Sequence, residues 1–268
     1  MKPFIQLAIG LIAPALSFAQ KGTTTELTIP SKAQPAGRHA WVYTPAGYPG
    51  SCQSACNLII VFDGSMYLGA MPLPEILDSL IAAKRTPATV AVLFDNGEPP
   101  GRINDLANSH RFAAYIAEEV LPWTRAHYAV TRDPARTTLA GSSAGGLGAA
   151  YIAFKYPSLF GNVLSQSGAF WRGNEASNTA PFEWLTQQFA AAPKSNIHFF
   201  LDVGSRETVG AMGGVGPSLV EANRHLRAAL DKKGYSVAYF EVPNGQHSPD
   251  SWRVRLPVGI VTLAPGDR

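Results

Sequence analysis

The chain has 268 residues, of which 46% are hydrophobic and 15% charged, so it can bury a large core and does not belong to the disordered class. Its formal net charge is +3 and its basic residues are scattered, which gives no reason to expect a nucleic-acid partner. This length is compatible with one α/β domain.

The first nineteen residues differ in character from the rest of the chain. Lys2 is their only charged residue, and an apolar run over residues 4–16 leads to small residues at the −3 and −1 positions of a cleavage point after Ala19. This pattern predicts a secretory signal peptide over residues 1–19. The apolar run is shorter than the ~20 residues that a membrane span needs, so we expect no stable membrane insertion. Residues 20–268 would then form a periplasmic or secreted protein.

The remaining chain alternates between strand and helix patterns. Two stretches rich in β-branched and aromatic residues, 23–29 and 39–43, predict a pair of entry strands. Apolar runs of the kind found in strands covered on both faces follow, and helical spacing separates them. The strand segments are residues 57–62, 89–94, 137–140, 163–165, 197–201 and 237–242. We therefore predict one α/β domain over residues 20–268, with a mostly parallel central sheet and helices on both faces.

One internal stretch, Gly210–Gly216, is rich in glycine. It is too short to link two domains, and we predict that it forms a mobile loop. Whether such a loop covers a substrate is left open by the sequence.

The two cysteines, Cys52 and Cys56, lie in the polar, turn-prone stretch 50–56. Export would place them in an oxidising compartment, where we expect a disulfide that closes this small loop. No pair of Cys or His residues lies near enough in sequence to complete a zinc site, so no metal is predicted. Two free thiols without a role are the alternative.

A Gly-x-Ser-x-Gly motif occupies residues 141–145 and places Ser143 at its centre. The motif directly follows a predicted strand and directly precedes a predicted helix of small residues. This is the context of a nucleophile held in a tight strand-to-helix turn, with the positive end of the helix dipole beneath it. A purely structural glycine and serine turn is the alternative, and Ser142 is the rival serine.

A serine nucleophile needs a base, and His247 is the best placed of six histidines. It lies in the loop after the last predicted strand, at the carboxyl edge of the sheet. The acid of such a triad stands between serine and histidine in the chain. Glu207, which follows the strand ending near Val203, fits that order. Asp202 is the rival acid, and a surface ion pair with Arg206 is the alternative role for Glu207.

Acyl transfer also requires backbone N–H groups that bind the developing oxyanion. The residue after the nucleophile, Ala144, should supply one of them. The second should come from the loop after the strand 57–62, where we expect the amide of Ser65, or else that of Gly64.

Several segments resemble the enterochelin esterase-like branch of the esterase D family, within the α/β-hydrolases. They are Val61-Phe62-Asp63-Gly64, Arg102-Ile103-Asn104-Asp105-Leu106, Glu118-Glu119-Val120-Leu121-Pro122-Trp123, Ala140-Gly141-Ser142-Ser143-Ala144-Gly145-Gly146, Ser165-Gln166-Ser167-Gly168-Ala169-Phe170-Trp171, and Gly245-Gln246-His247-Ser248 followed by Trp252. The resemblance implies Ser143 as nucleophile and His247 as base, and supports Glu207 as acid. It also implies that Arg102 and Trp171 line the substrate site; a surface salt bridge and core packing are their respective alternatives.

The chain departs from the family pattern at two points. Asp105 stands where the family usually has Glu, and Gln246 and Ser248 flank His247 where the family usually has Gly and Asp.

The expected reaction is hydrolysis of a small-molecule ester of the siderophore (enterochelin) type, without metal or organic cofactor. Feruloyl or other carbohydrate esters, acyl transfer, and ligand binding without catalysis are the alternatives.

Overall fold

An eight-stranded sheet runs through the protein, seen here in a computed structural model that describes residues 21–98, 100–174 and 181–264. The strands are β1 (Thr23–Ile29), β2 (Arg38–Thr44), β3 (Asn57–Phe62), β4 (Thr89–Phe94), β5 (Thr137–Ser142), β6 (Asn162–Gln166), β7 (His198–Gly204) and β8 (Ser236–Val242). The predicted signal peptide, residues 1–19, lies outside the described residues.

The spatial order of the strands is β1-β2-β4-β3-β5-β6-β7-β8. The entry strands β1 and β2 pair antiparallel with each other, and β2 pairs antiparallel with β4. From β4 to β8 every neighbouring pair is parallel. The predicted fold class, a mostly parallel sheet in an α/β arrangement, is confirmed.

Helices cover both faces of the sheet. They are α1 (Gly64–Leu68), α2 (Leu73–Ala82), α3 (Gly101–Leu106), α4 (His110–Tyr115), α5 (Leu121–His127), α6 (Ala144–Lys155), α7 (Trp184–Ala191), α8 (Ala211–Gly214), α9 (Leu219–Lys232) and α10 (Pro249–Leu263). A π-helical turn, Ile116–Val120, joins α4 to α5, and a 3₁₀ turn, Pro134–Arg136, precedes β5.

The alternation of side chains along the strands builds two cores. On β3, Leu58 and Ile60 belong to the core that packs against helices such as α4, α6 and α9. Ile59 and Val61 point to the opposite face, where α1, α2 and α10 cover them. Because both faces of the parallel strands are buried, their sequences read as continuous apolar runs.

The glycine-rich stretch Gly210–Gly216, for which we predict a loop, contains the short helix α8. The backbone closes this segment upon itself, since Gly214 N–H donates to Gly210 O at 3.1 Å and Ala211 N–H donates to Pro217 O at 3.2 Å. Glycine has a low intrinsic helix propensity, so the local sequence gives no sign of this turn.

Cys52 and Cys56 are joined by a disulfide in the loop between β2 and β3. Cys56 is fully buried, and it forms an isolated parallel bridge with Val130. The bond therefore fixes the loop that leads into the central strand β3. Among the described residues, no helix is both long and apolar enough to cross a membrane.

The close approach of β5 and α6 depends on Gly141. A Cβ atom on Gly141 would lie 2.4 Å from the backbone carbon of Gly145. Such a distance is well inside van der Waals contact, so the turn at this point is possible only without a side chain at residue 141.

We expect Gly141→Ala to lower the free energy of unfolding by about 1–3 kcal/mol or more, because neither backbone segment can move away cheaply. Gly101→Ala is the matched control, because a Cβ there meets nothing within 4 Å. Thermal denaturation of both variants measures the difference. Equal melting temperatures would show that the strand–helix crossing is not constrained in this way.

Candidate active site

Ser143 lies at the turn between β5 and α6 with strained backbone angles, φ 56° and ψ −121°. A positive φ is uncommon for a residue with a side chain and marks strain that the surrounding structure must hold. The Ser143 N–H donates to Gln166 O at 2.9 Å, which ties the turn to the neighbouring strand β6. The geometry is that of the predicted nucleophile turn.

His247 lies in the loop after β8 and reaches Ser143. Its Nε2 is 3.0 Å from the Ser143 Oγ, and its Nδ1 is 2.6 Å from Glu207 Oε2. The loop can lie this close to β7 because Gly204 and Gly245 both lack side chains: a Cβ on Gly204 would come within 2.4 Å of the Gly245 backbone. The structure thus brings the serine, the histidine and the glutamate into one hydrogen-bonded chain.

Glu207 contacts the histidine, whereas Asp202 does not. The Glu207 side chain is 2% exposed, and its Oε1 accepts from Gly204 N–H at 2.8 Å and from Ser167 Oγ–H at 2.6 Å. Asp202 is buried within β7 and accepts from Gln166 Nε2 at 3.0 Å. Of the two acids that the sequence left open, only Glu207 has the position of a triad member.

The environment of Asp202 also differs from that of Glu207. Burial raises the pKa of Asp202 to about 7, and the nearby Glu207 adds to the rise, whereas the Gln166 hydrogen bond and Arg255 oppose it. Burial therefore favours the protonated, neutral form of Asp202 to well above the pH at which an exposed aspartate ionises.

Two helix N-termini contain the expected oxyanion donors. Ala144 is the first residue of α6, and Gly64 and Ser65 are the first two of α1. The first N–H groups of a helix lack acceptors within the helix and can bind an anion. Gly64 is required at its position because a Cβ there would lie 2.6 Å from the Leu93 backbone.

The α1 segment is held in place by side chains on either side of it. Asp63, at φ 61°, directly precedes α1, and its N–H donates to Asn96 Oδ1 at 3.1 Å. The Tyr67 hydroxyl on α1 lies 2.8 Å from the Ser142 Oγ, and both residues are fully buried. Ser142, the rival serine, therefore forms a buried hydrogen bond that holds α1 against the turn at Ser143.

Arg102 forms a two-pronged ion pair with Asp63. Its Nε and Nη2 each donate to one Asp63 carboxylate oxygen, both at 2.6 Å, and its side chain is 24% exposed. The salt-bridge alternative for Arg102 is thus present, whereas contact with a substrate remains a proposal. Trp171 is partly buried, with the Arg172 guanidinium 4.8 Å from the centre of its ring.

Sequence reasoning missed four residues that shape this site, namely Asn96, Tyr67, Ser167 and Trp252. Asn96 follows the carboxyl end of β4 by two residues, the kind of position from which the triad was found, so its placement could have been noticed. Ser167 and Trp252 lie in the segments that carry the family resemblance, but no local pattern indicates which atoms they contact.

The chain matches the family model described as Putative esterase over residues 31–263. It belongs to that family. It is 29% identical over 231 residues to the Iron(III) enterobactin esterase of Escherichia coli (strain K12), an alignment covering 84% of this chain and 53% of that protein. The chain thus spans about half the length of this relative.

Solved structures with the same fold include esterases. The enterobactin esterase of Shigella flexneri, solved in the presence of enterobactin, superimposes with a TM-score of 0.77 at 27% identity, over 90% of this chain and 59% of that one. A ferulic acid esterase superimposes with a TM-score of 0.75 at 17% identity, over 91% and 99%. At that identity the second likeness shows the fold alone. The fold is that of the α/β-hydrolases, as the family resemblance implied.

The roles of Glu207 and Asp202 can be distinguished by replacing each carboxylate with the uncharged amide of nearly the same shape. We expect Glu207→Gln to lower kcat for ester hydrolysis by about 10³-fold or more, because the amide cannot stabilise an imidazolium in the same way. Asp202→Asn should lower kcat by less than about tenfold, since Asp202 does not contact His247. Steady-state kinetics on one aryl ester measures both. A larger loss in Asp202→Asn would assign the acid role to Asp202.

The raised pKa of Asp202 makes the free energy of unfolding depend on pH. The ordinary pKa of an aspartate is about 3.9, so between about pH 4 and pH 7 the folded chain keeps a proton that the unfolded chain has released. The contribution of Asp202 to the free energy of unfolding therefore falls as the pH rises through this range.

The Asp202→Asn variant lacks this titration. We expect its free energy of unfolding, relative to wild type, to rise by on the order of 2–4 kcal/mol between about pH 4 and pH 8. Denaturant unfolding at a series of pH values measures the difference. A difference that does not change with pH would contradict the raised pKa of Asp202.

Proposed function

We propose that the chain is a serine esterase that hydrolyses carboxylic esters through an acyl-enzyme at Ser143. The observation that carries the proposal is the hydrogen-bonded chain from Ser143 through His247 to the buried Glu207. Membership of the Putative esterase family supports the reaction class. Acyl transfer and ligand binding without turnover are the competing functions for such a site.

The geometry supports a two-step mechanism. His247 Nε2 accepts the Ser143 hydroxyl proton as the Oγ attacks the ester carbonyl carbon, and the carbonyl oxygen takes up negative charge. The amide of Ala144, with that of Ser65 or Gly64, would bind this oxyanion. The protonated His247 then gives its proton to the leaving alcohol, which leaves an acyl group on Ser143.

Water completes the reaction by the reverse sequence of proton transfers. His247 takes a proton from the attacking water, a second tetrahedral intermediate forms, and collapse returns the proton to Ser143 as the carboxylic acid departs. Throughout, the Glu207 carboxylate accepts the Nδ1–H hydrogen bond and stabilises the imidazolium.

For the substrate, we propose an ester of the siderophore (enterochelin) type. Relatives named for enterobactin and salmochelin ester cleavage support this class. The Arg172 guanidinium stacked on Trp171 offers a cationic and aromatic surface, which suits an anionic catechol-type ring. Because an aryl–carbohydrate ester also carries such a ring, feruloyl esters are the second candidate.

The proposed location is the periplasm or the cell exterior. The signal-peptide pattern of residues 1–19 supports it, and so does the disulfide between Cys52 and Cys56, since disulfides persist in oxidising compartments.

We expect the purified protein to hydrolyse a siderophore lactone with a higher kcat/KM than a feruloylated sugar or a short-chain aryl ester. Ser143→Ala should lower kcat/KM by about 10⁴-fold or more at an unchanged melting temperature, because the nucleophile is lost while the fold is kept. Product analysis with a competing alcohol distinguishes hydrolysis from transfer.

Other outcomes would point elsewhere. A preference for the feruloylated sugar would replace the siderophore proposal but keep the mechanism. Absence of turnover on all three esters would favour the binding protein, and ester products formed with the added alcohol would favour the acyltransferase.

A further inference from the structure

A second chain of hydrogen bonds leads into the triad from the side opposite Ser143. Trp252 Nε1–H donates to the Ser167 Oγ at 2.8 Å, and the Ser167 hydroxyl donates to Glu207 Oε1 at 2.6 Å. All three residues are buried. An indole N–H can only donate and a carboxylate can only accept, so the direction of the Ser167 hydroxyl between them is fixed.

The two oxygens of the Glu207 carboxylate have different hydrogen-bond partners. Its Oε1 accepts from Ser167 and from the Gly204 N–H, whereas its Oε2 accepts from His247 Nδ1. Two donors on one oxygen hold the plane of the carboxylate and leave the other oxygen facing the imidazole. The orientation of His247 therefore depends on contacts that lie beyond Glu207.

Trp252 contacts the triad a second time. Its ring meets the His247 ring in a perpendicular arrangement, with centroids 4.9 Å apart and an interplanar angle of 87°. The residue belongs to the first turn of α10, directly after the histidine loop. One side chain thus packs against the base and, through Ser167, orients the acid.

Ser167 has a strained backbone conformation that glycine would adopt more easily. Ser167 has φ 48°, in the left-handed region that favours glycine. Its N–H donates to Asp202 O at 2.6 Å, a bond that glycine would make equally well. A serine held there against its conformational preference indicates that the side chain contributes something that glycine would not.

We propose that Ser167 is a positioning residue of the triad, which together with Trp252 locks the Glu207 carboxylate against His247. The inference rests on the proposed esterase function. Ser167 does not touch the reacting atoms; it acts through Glu207 on the imidazole. Loss of a hydrogen bond to a charged group corresponds to about 10- to 100-fold in a rate when the bond supports the transition state.

Ser167→Gly tests positioning at a residue with positive φ, because glycine tolerates that backbone angle and the substitution removes the hydroxyl together with its Cβ. We expect kcat to fall about 10- to 100-fold while KM stays within about twofold, because the lost bond supports the transition state and not substrate binding. Ser165→Ala is the matched control. Ser165 is fully buried two residues earlier, and its Oγ has no hydrogen-bond partner among the described residues.

A proton NMR spectrum gives a readout that does not need turnover. The proton between His247 Nδ1 and Glu207 should give a downfield resonance in the wild type and in Ser165→Ala. In Ser167→Gly we expect this resonance to shift or broaden, because Oε1 of the carboxylate keeps only the Gly204 N–H donor and is held less firmly. A resonance unchanged in Ser167→Gly, with kcat equal to that of the wild type, would overturn the inference.

The link through Trp252 is tested by coupling. Trp252→Phe keeps an aromatic ring but removes the N–H, so its effect on kcat should be smaller in the Ser167→Gly background than in the wild type. An equal fold-loss of kcat in the two backgrounds would show that Trp252 does not act through Ser167. An active wild type with an unaffected Ser167→Gly variant would refute only this inference, whereas a wild type inactive on every ester would refute the esterase proposal as well.

Discussion

The strained turn at Ser143 is the constraint on which the site depends. The serine can adopt a positive φ there because β5 and α6 hold both sides of the turn, and because Gly141 has no side chain to collide with the Gly145 backbone. A parallel sheet places the ends of its strands at one edge, so Glu207 after β7 and His247 after β8 arrive beside this turn. The parallel sheet thus determines where these side chains lie, and the loops after its strands carry the side chains themselves.

Two buried carboxylates near this edge show how the environment separates their roles. Glu207 accepts three hydrogen bonds, one of them from His247, and can stabilise a cation. Asp202 lies deeper in β7, where burial raises its pKa to about 7. Two carboxylates close together in the fold thus differ in what they do: one is hydrogen-bonded to the imidazole, and the other contributes a pH-dependent term to stability.

Much of this could be predicted from the sequence, because burial on both faces gives β3 and β4 unbroken apolar runs. The proximity of Ser143, His247 and Glu207 could be predicted from their order along the chain and their places after strands. The contacts that support them could not be predicted: Tyr67 meets Ser142 across 75 residues, and Ser167 meets Glu207 across 40. Such pairs are set by how helices pack on the sheet. The helical turn α8 was missed because glycine-rich sequence does not favour a helix.

The central claim is that Ser143 is activated by His247. Incubation with a fluorophosphonate, followed by peptide mapping by mass spectrometry, tests it directly. We expect one phosphonylated residue, Ser143, in the wild type, and labelling slowed by about 10³-fold or more in His247→Ala, because the serine then lacks its base. Labelling at another residue, or equal labelling rates in the two proteins, would show that His247 does not activate Ser143.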